Sequence, residues 1–465
     1  MKRLALVSIG LATAAALVAP PAVAATPGKG KPVKQPVAEG YGGAVATVDL
    51  DASKAAINVL KQGGNAVDAA VAAAAVLGVT EPYSAGLAGG GFLVYYDARS
   101  RRVHTIDGRE AAPRRMTATA FQENGEPIPF DEAVTSGLSV GVPGSVAQWD
   151  LALRRFGTFS LRRALQPAIE VAQRGFVVDQ TFHDQTAENA DRFKDFTSTA
   201  KLFLPGGAPP RVGSVFRNPD LARTYRELGQ KGARWLYEGR LGEEIVATVK
   251  RPPVAPGATR KVRPGLMERS DLRAYRALER PPTRVRYRGM DVYGMAPPSS
   301  GGSTVGEALN ILQALPEGGL HEYLEASRLA FADRNAYVGD PDHVRVPLRE
   351  LLSAEFAKER ACLVGDRAIA HPAPAGEPDG SYEPCPGAPS PRPKGVPESE
   401  GPETTHLVVA DKWGNVVAYN ITIEQTGGSG IVVPGRGFLL NNELTDFTFG
   451  PADGDPNLPG PGKRP

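Results

Sequence analysis

One threonine in the C-terminal part of the sequence would carry two catalytic groups if the peptide bond before it were cleaved. Thr404 follows Glu403 at the end of a Pro- and Gly-rich stretch and opens a segment with the alternation of a strand. Cleavage between them would give Thr404 a free α-amine with a reference pKa of about 7.7 to 8.0, suited to take the proton of the nearby hydroxyl. Thr404 would then be both nucleophile and base in acyl transfer. The same pattern is typical of a loop that simply enters a strand.

Three other patterns indicate alternative chemistry. The triple glycine 89–91 could cradle phosphate, although no Lys-Ser/Thr pair follows it and a strand is predicted next. Residues 137–141 fit the Gly-x-Ser-x-Gly nucleophile elbow, but a poor strand precedes them and residues 142–144, Val-Pro-Gly, interrupt the expected helix. Glu443 and Asp446 are close enough in sequence to point two carboxylates at one cation.

The ends and the composition limit the class of protein. Residues 1–24 have the charged start, apolar run and small-residue cleavage site of a secretory signal, and no later segment resembles a membrane span. We therefore expect an exported protein, secreted or periplasmic. Without Lys2 and Arg3 the chain has 51 basic and 51 acidic side chains, so no net charge favours a nucleic-acid partner.

Cysteine and histidine usage favours neither thiol nor metal catalysis. Cys362 and Cys385 are the two cysteines, and in an exported chain they are expected to pair, with two free thiols as the alternative. The six histidines lack the spacing of metal ligands. No metal or cofactor is predicted.

The predicted elements would place Thr404 on a sheet covered by helices. Residues 371–403 lack an apolar period and are predicted to form a loop between ordered parts. Alanine-rich residues 69–75 are expected to be buried. The pattern predicts strands at 92–96, 103–106, 405–410 and 416–423, and helices at 53–62, 65–77, 161–173, 219–228, 242–249, 303–315 and 322–338.

Nine short motifs follow one another along the chain. They are 63–70 (GGNAVDAA), 84–91 (SAGLAGGG), 106–110 (IDGRE), 141–144 (GVPG), 297–302 (PPSSGG), 404–406 (TTH), 411–415 (DKWGN), 428–430 (GSG) and 437–447 (GFLLNNELTDF). Together and in this order, they resemble the gamma-glutamyltranspeptidase family of N-terminal-nucleophile hydrolases. The resemblance covers nearly all of residues 40–465. It also accounts for residues 137–141 as the approach to Gly-Val-Pro-Gly rather than a nucleophile elbow.

The resemblance implies a four-layer αββα sandwich and a precursor that cuts itself between Glu403 and Thr404. Residues 25–403 would form the large subunit and residues 404–465 the beginning of the small one. The implied reaction is γ-glutamyl transfer from glutathione and related compounds to water, an amino acid or a short peptide, through a γ-glutamyl ester on Thr404.

Family positions also imply the roles of five further residues. Thr422 matches the hydroxyl that contacts the nucleophile, although a β-branched residue is common in any strand. Arg109 matches the residue that binds the substrate α-carboxylate; by itself it could be a surface ion pair. Glu424, Glu443 and Asp446 match positions that bind the α-ammonium, where the family often has Asn or Gln in place of the two glutamates.

Two alternatives and one departure from the family pattern remain. A related acylase acting on a glutaryl-type side chain would lack the ammonium and leave Glu443 and Asp446 unpaired. A noncatalytic exported binder of γ-glutamyl compounds would never cleave. The sequence stops at Pro465, where the family continues into oxyanion-hole segments, so we expect either a fragment or a truncated protein.

Overall fold

The computed structural model describes residues 37–316, 318–382, 404–450 and 454–465. The predicted signal segment 1–24, Glu403 and most of the predicted loop 371–403 lie outside these ranges. Within them, the strands are β1 (Gly43–Ala46), β2 (Gly90–Asp97), β3 (Arg102–Asp107), β4 (Gln122–Glu123), β5 (Glu126–Pro127), β6 (Phe176–Val177), β7 (Val215–Phe216), β8 (Leu278–Arg280), β9 (Thr283–Tyr287), β10 (Met290–Gly294), β11 (Thr405–Asp411) and β12 (Val416–Thr422).

Six of these strands form one antiparallel sheet, and the segment after Thr404 is one of its inner strands. The strand order is β1-β11-β12-β2-β3-β8, and the other described strands form three two-stranded sheets. β11 pairs with β12 from Thr405 opposite Ile421, and β12 pairs with β2 up to Thr422 opposite Gly90. The ends of three strands therefore meet at Thr404. All four predicted strands are present.

Helices cover the sheet and form a second group around the β9–β10 hairpin. The helices are α1 (Leu50–Lys61), α2 (Ala66–Thr80), α3 (Phe130–Val134), α4 (Ser145–Phe156), α5 (Leu161–Ala164), α6 (Gln166–Arg174), α7 (Gln180–Phe193), α8 (Thr197–Phe203), α9 (Pro219–Lys231), α10 (Arg234–Tyr237), α11 (Arg240–Lys250), α12 (Arg269–Ala274), α13 (Gly301–Ala314), α14 (Leu320–Tyr337), α15 (Leu348–Leu351) and α16 (Ala354–Ala361), with 3-10 turns at Pro205–Gly207 and Glu443–Asp446.

The predicted helices are present with their ends shifted by up to three residues, with one exception. The helix predicted over 161–173 is divided into α5 and α6 at Leu165. Pro167 lies in the first turn of α6, and its missing N–H cannot continue the hydrogen-bond ladder of α5. The break therefore follows from a proline that the periodicity of the apolar residues does not reveal.

The alanine-rich helix α2 forms the centre of the core. All its residues are buried, and it packs against β11 and β12 as predicted from its composition. Asn65 and Asp68 form a capping box at its start, and Asp411 at the end of β11 accepts a hydrogen bond from Ala66 N at 2.9 Å. Because Ala side chains are short, the helix can approach the sheet closely.

A buried polar network joins α4 to three strands of the sheet. Gln148 Nε2 donates to the carbonyls of Gly91 and Ile106, at 3.0 and 2.8 Å. Its Oε1 accepts from Tyr419 Oη at 2.7 Å, and Tyr419 in turn accepts from Trp149 Nε1 at 3.0 Å. Unpaired buried polar groups would be costly, so this satisfied network favours one register of β12.

A buried cluster of charged residues lies between α13, α14 and α16. Glu307, Asp333 and Arg360 are each at most 1% exposed. Arg360 Nε is 2.8 Å from Asp333 Oδ2, and Glu307 hydrogen-bonds the same carboxyl group. Gly376 N donates to Asp333 Oδ1 at 2.5 Å, and Arg360 Nη2 donates to Pro374 O at 2.6 Å. The cluster thus holds the chain shortly before the undescribed residues 383–403.

The described residues bear in part on two predictions, the pairing of the cysteines and the lack of a membrane-spanning segment. Cys362 is disulfide-bonded, and no cysteine of the described ranges is free, while its predicted partner Cys385 lies outside them. In the part of the chain that the structure describes, no helix is long and apolar enough to cross a bilayer.

The Glu307 cluster predicts a stability difference that grows with pH. Desolvation, and then the nearby Asp333, raise the pKa of Glu307 well above its ordinary value of 4.5. A carboxyl with a raised folded-state pKa stabilises the protein fully below its unfolded pKa, and this contribution is lost as pH rises through the folded value. Glu307→Gln has the shape of the protonated glutamate but does not titrate. Its free energy of unfolding should therefore rise relative to that of the wild type, by up to about 1.4 kcal/mol per pH unit above the unfolded pKa of Glu307.

Urea unfolding at pH 5 and pH 9 measures this difference. Glu355→Gln is the matched control, because Glu355 is an exposed residue of α16. An equal effect of Glu307→Gln at both pH values would contradict the predicted proton on the cluster.

Candidate active site

Strand alternation turns the Thr404 side chain away from the core. Thr405, Leu407 and Val409 are buried, so Thr404, one residue earlier, faces the opposite side of the sheet. The structure places Thr404 on the wall of a cavity of about 820 Å³. A hydroxyl in this position is accessible to a small molecule.

Thr422 lies beside Thr404, as its family position implies. Thr404 Oγ1 donates to Thr422 Oγ1 at 3.5 Å. Thr422 Oγ1 also accepts from Glu424 N at 2.8 Å, which fixes its orientation. Two strand ends therefore provide a pair of hydroxyl groups at one point of the cavity.

Glycines allow β2 to approach the end of β12. A Cβ atom on Gly89 would lie 2.1 Å from Thr422 O, and one on Gly91 would lie 2.1 Å from Asn420 O. The φ angle of Gly91 is also positive, +157°. The triple glycine thus allows close packing of the backbone beside the end of β12, and the phosphate-loop alternative is not needed to explain it.

The six residues singled out from the sequence share this one cavity. Its volume lies in the range of sites for small ligands. The residues are Arg109, Thr404, Thr422, Glu424, Glu443 and Asp446.

Arg109 is the cation at the centre of a charged cluster. Its guanidinium forms ion pairs with Glu443 and Asp446, and its Nε donates to Pro465 O at 3.0 Å. Burial opposes the charge of Arg109, but the two carboxylates outweigh it and raise the pKa of the guanidinium. The suggestion that Glu443 and Asp446 share one cation is therefore met by a side chain of the protein itself.

Glu424 is held by neighbouring amide and hydroxyl groups. Its Oε2 accepts from Gln425 N at 2.7 Å, from Thr445 Oγ1 at 3.0 Å and from the Asn442 side chain. Its φ angle is +74°, a conformation that costs a non-glycine residue energy and is often found at functional sites. Desolvation, and then Asp446, raise the pKa of Glu424 to about 8.

Carboxyl groups outnumber cations in this cluster. Glu110, which the sequence did not single out, is fully buried beside Arg109, and desolvation raises its pKa to about 8 in spite of Arg109. Desolvation also raises the pKa of Glu443 well above its usual range, with the charges of Glu110, Asp446 and Glu424 adding to the shift. The site therefore carries an excess of acidic groups that a second cation would relieve.

Asn441 is a positioning residue that sequence reasoning missed. It is fully buried, and its Nδ2 donates to Ala88 O at 2.7 Å and Gly141 O at 3.0 Å. Its Oδ1 accepts from Gly141 N at 2.9 Å and Glu443 N at 3.1 Å. The side chain thus joins three of the glycine-containing motifs. The available signal was a pair of amides, Asn441 and Asn442, directly after an apolar run.

The alternative nucleophile Ser139 is not placed for catalysis. Its side chain is fully buried, and Oγ lies 3.0 Å from Val134 O and 2.9 Å from Ser136 O. No strand precedes it directly and no helix follows it directly. The motif at 137–141 lacks the exposed strand-to-helix turn that a nucleophile elbow requires.

Comparison with curated proteins finds relatives along most of the chain. The glutathione hydrolase proenzyme of Bacillus subtilis (strain 168) is 38% identical over 440 residues, which cover 92% of this chain and 71% of the relative. The glutathione hydrolase proenzyme of Escherichia coli (strain K12) is 35% identical over 469 residues, covering 97% of this chain and 76% of the relative.

Comparison with solved structures confirms the predicted fold class, mixed α/β of the N-terminal-nucleophile hydrolase type. A cephalosporin acylase from Bacillus halodurans superposes with a TM-score of 0.76 at 29% identity, covering 93% of this chain and 76% of the other. The Helicobacter pylori gamma-glutamyltranspeptidase superposes with a TM-score of 0.66 at 31% identity, covering 75% of this chain and 97% of the other.

The family model described as gamma-glutamyltranspeptidase matches residues 52–465. The chain belongs to the gamma-glutamyltranspeptidase family.

Proposed function

We propose that this protein transfers γ-glutamyl groups from glutathione and related compounds to water or to an amino acid or short peptide. The observation that carries the proposal is the single cavity in which Thr404 and Thr422 lie beside the charged cluster of Arg109, Glu443 and Asp446. The glutathione hydrolase proenzymes among the relatives support the same activity.

In the proposed mechanism, cleavage between Glu403 and Thr404 first frees the Thr404 α-amine. The amine takes the hydroxyl proton while Oγ forms a bond to the γ-carbonyl carbon of the donor. The C–N bond of the donor then breaks, and the amine of Thr404 gives its proton to the leaving nitrogen. Water or an acceptor amine reverses these steps on the γ-glutamyl ester. Thr422 orients the nucleophile through the contact between the two hydroxyls.

The charges of the cluster fit a zwitterionic γ-glutamyl group. The substrate α-carboxylate would pair with Arg109 and so replace one of its acidic partners. The α-ammonium would pair with the carboxyls that are released, from among Glu424, Glu443 and Asp446. Because buried charges are costly when unpaired, this exchange of partners keeps every charge compensated.

The glutaryl-type acylase is the second candidate, supported by the similarity to the cephalosporin acylase. A glutaryl group has a carboxylate for Arg109 but brings no cation. It would leave the carboxyls of Glu443 and Asp446 without a partner once Arg109 turned to the ligand. The excess of acidic groups therefore favours the γ-glutamyl substrate.

We further propose that the protein is made as an exported precursor. The relatives named proenzymes support a two-subunit product of cleavage. The large subunit would be residues 25–403 and the small one would begin at Thr404. The secretory pattern of residues 1–24 supports a secreted or periplasmic location. A noncatalytic binder would instead stay in one piece.

Thr404→Ala should abolish both self-cleavage and turnover, because the hydroxyl that attacks is lost. Thr404→Ser should retain cleavage. The adjacent Thr405→Ala is the matched control: its buried hydroxyl has no hydrogen-bond partner among the described residues, and we expect normal processing. A denaturing gel with mass spectrometry of the fragments reads the outcome, and cleavage before residue 404 in the alanine variant would contradict the mechanism.

Arg109→Gln should leave self-cleavage intact and lower kcat/KM for γ-glutamyl-p-nitroanilide about ten- to hundredfold. The reason is the loss of a charge-assisted contact to the α-carboxylate, worth about 1.5 to 3 kcal/mol. Arg99→Gln, in an exposed turn, is the control and should behave as the wild type. Equal turnover by the two variants would show that Arg109 does not bind the substrate α-carboxylate.

Asp446→Asn should change the choice between the two candidate substrates. The variant loses a charged partner for the ammonium, so kcat/KM for γ-glutamyl-p-nitroanilide should fall about tenfold relative to that for glutaryl-p-nitroanilide. Both rates are measured on one preparation, which cancels differences in folding or processing. A ratio equal to that of the wild type would show that Asp446 does not recognise the ammonium.

A further inference from the structure

A stack of aromatic rings forms part of the cavity wall, and the mechanism above does not use it. Phe130 of α3 and Phe449 both line the cavity that contains Thr404. The ring of Phe449 stacks on Phe121 with 4.4 Å between centroids and 11° between planes, and lies 6.0 Å from the ring of Phe130. Phe121 is fully buried, whereas Phe130 is 40% exposed. The stack therefore extends from the core to the cavity.

The wall is held in place before any ligand binds. Gln122 Nε2 donates to Phe449 O at 3.0 Å, and Ile128 N donates to Phe121 O at 2.9 Å. Pro127 and Ile128 extend the apolar surface along the same cavity. A ligand that contacts these side chains loses little free energy in ordering them.

The side of the acyl carbon on which the amine leaves and arrives determines which part of a substrate could reach this wall. The γ-glutamyl group is assigned to the charged cluster. The leaving amine departs from one side of the acyl carbon, and by microscopic reversibility the accepting amine arrives from that same side. Its substituent must therefore occupy the part of the cavity that the charged cluster does not fill. Aromatic rings favour offset-stacked or edge-to-face contacts with other rings.

We propose that Phe130 and Phe449 form a subsite for an aromatic substituent on the amine that leaves from, or is transferred to, the γ-glutamyl group. The inference rests on the proposed function and specifies its substrate class: γ-glutamyl amides of aromatic amines and aromatic amino acids. The bonds made and broken at Thr404 are those of the proposed mechanism, and no further reactant is needed.

Competition between two donors in one tube tests the subsite. The full chain, after self-cleavage, is given equal concentrations of γ-glutamyl-phenylalanine and γ-glutamyl-alanine, and consumption of each is followed by liquid chromatography with mass spectrometry. The leaving amines are chemically alike, so the ratio of rates reports the ratio of kcat/KM. We expect the wild type to prefer the phenylalanine donor. Phe130→Ala and Phe449→Ala should each reduce the preference about three- to tenfold, the value of an aromatic pair.

Phe331→Ala is the matched control, because Phe331 is a 47% exposed residue of α14 outside the cavity lining. It should keep the preference of the wild type. Phe130→Leu and Phe449→Leu preserve apolar contact without a ring and should fall between wild type and alanine variants. Because the ratio is internal to each sample, a partly unfolded variant still gives a valid result.

Three results would overturn the subsite while leaving the proposed function standing. They are the absence of a preference in the wild type, an unchanged preference in both alanine variants, and an equal loss in Phe331→Ala. Failure of the cleaved wild type to consume either donor would instead overturn the proposed function and the subsite with it.

Discussion

The antiparallel pairing of β11 with β12 is the constraint on which the candidate site depends. With Thr405 opposite Ile421, the hydroxyls of Thr404 and Thr422 meet at the ends of their strands. A shift by one residue would turn Thr404 towards the core. The buried side chains of α2 and the polar network around Gln148 both oppose such a shift in register.

Charge compensation is the second organising feature. Arg109 lies among more carboxyl groups than it can neutralise, and desolvation raises the pKa of Glu110, Glu424 and Glu443. Burying several carboxyl groups together costs free energy, and groups with such perturbed pKa values cluster at functional sites. This arrangement becomes understandable if the ligand brings a cation of its own together with an anion for Arg109. The strained backbone of Glu424 is located in the same place.

The sequence was sufficient for the elements and the family, but not for the details of the site. The alternation after Thr404 and the composition of α2 predicted a strand and a buried helix, because these depend on local pattern. The burial of Glu110 and the hydrogen bonds of Asn441 depend on contacts between distant segments, which no local pattern encodes. Periodicity also failed at Leu165, where a proline in the next turn ends the helix.

The central claim is that the N-terminal threonine of the small subunit carries the acyl group. It is tested most directly by quenching the full-length, self-cleaved protein in acid during turnover of a γ-glutamyl donor, followed by peptide mapping with mass spectrometry. The account predicts a γ-glutamyl ester on a peptide that begins at Thr404. An acyl group on another residue, or an acylated peptide in which Glu403 and Thr404 are still joined, would contradict it.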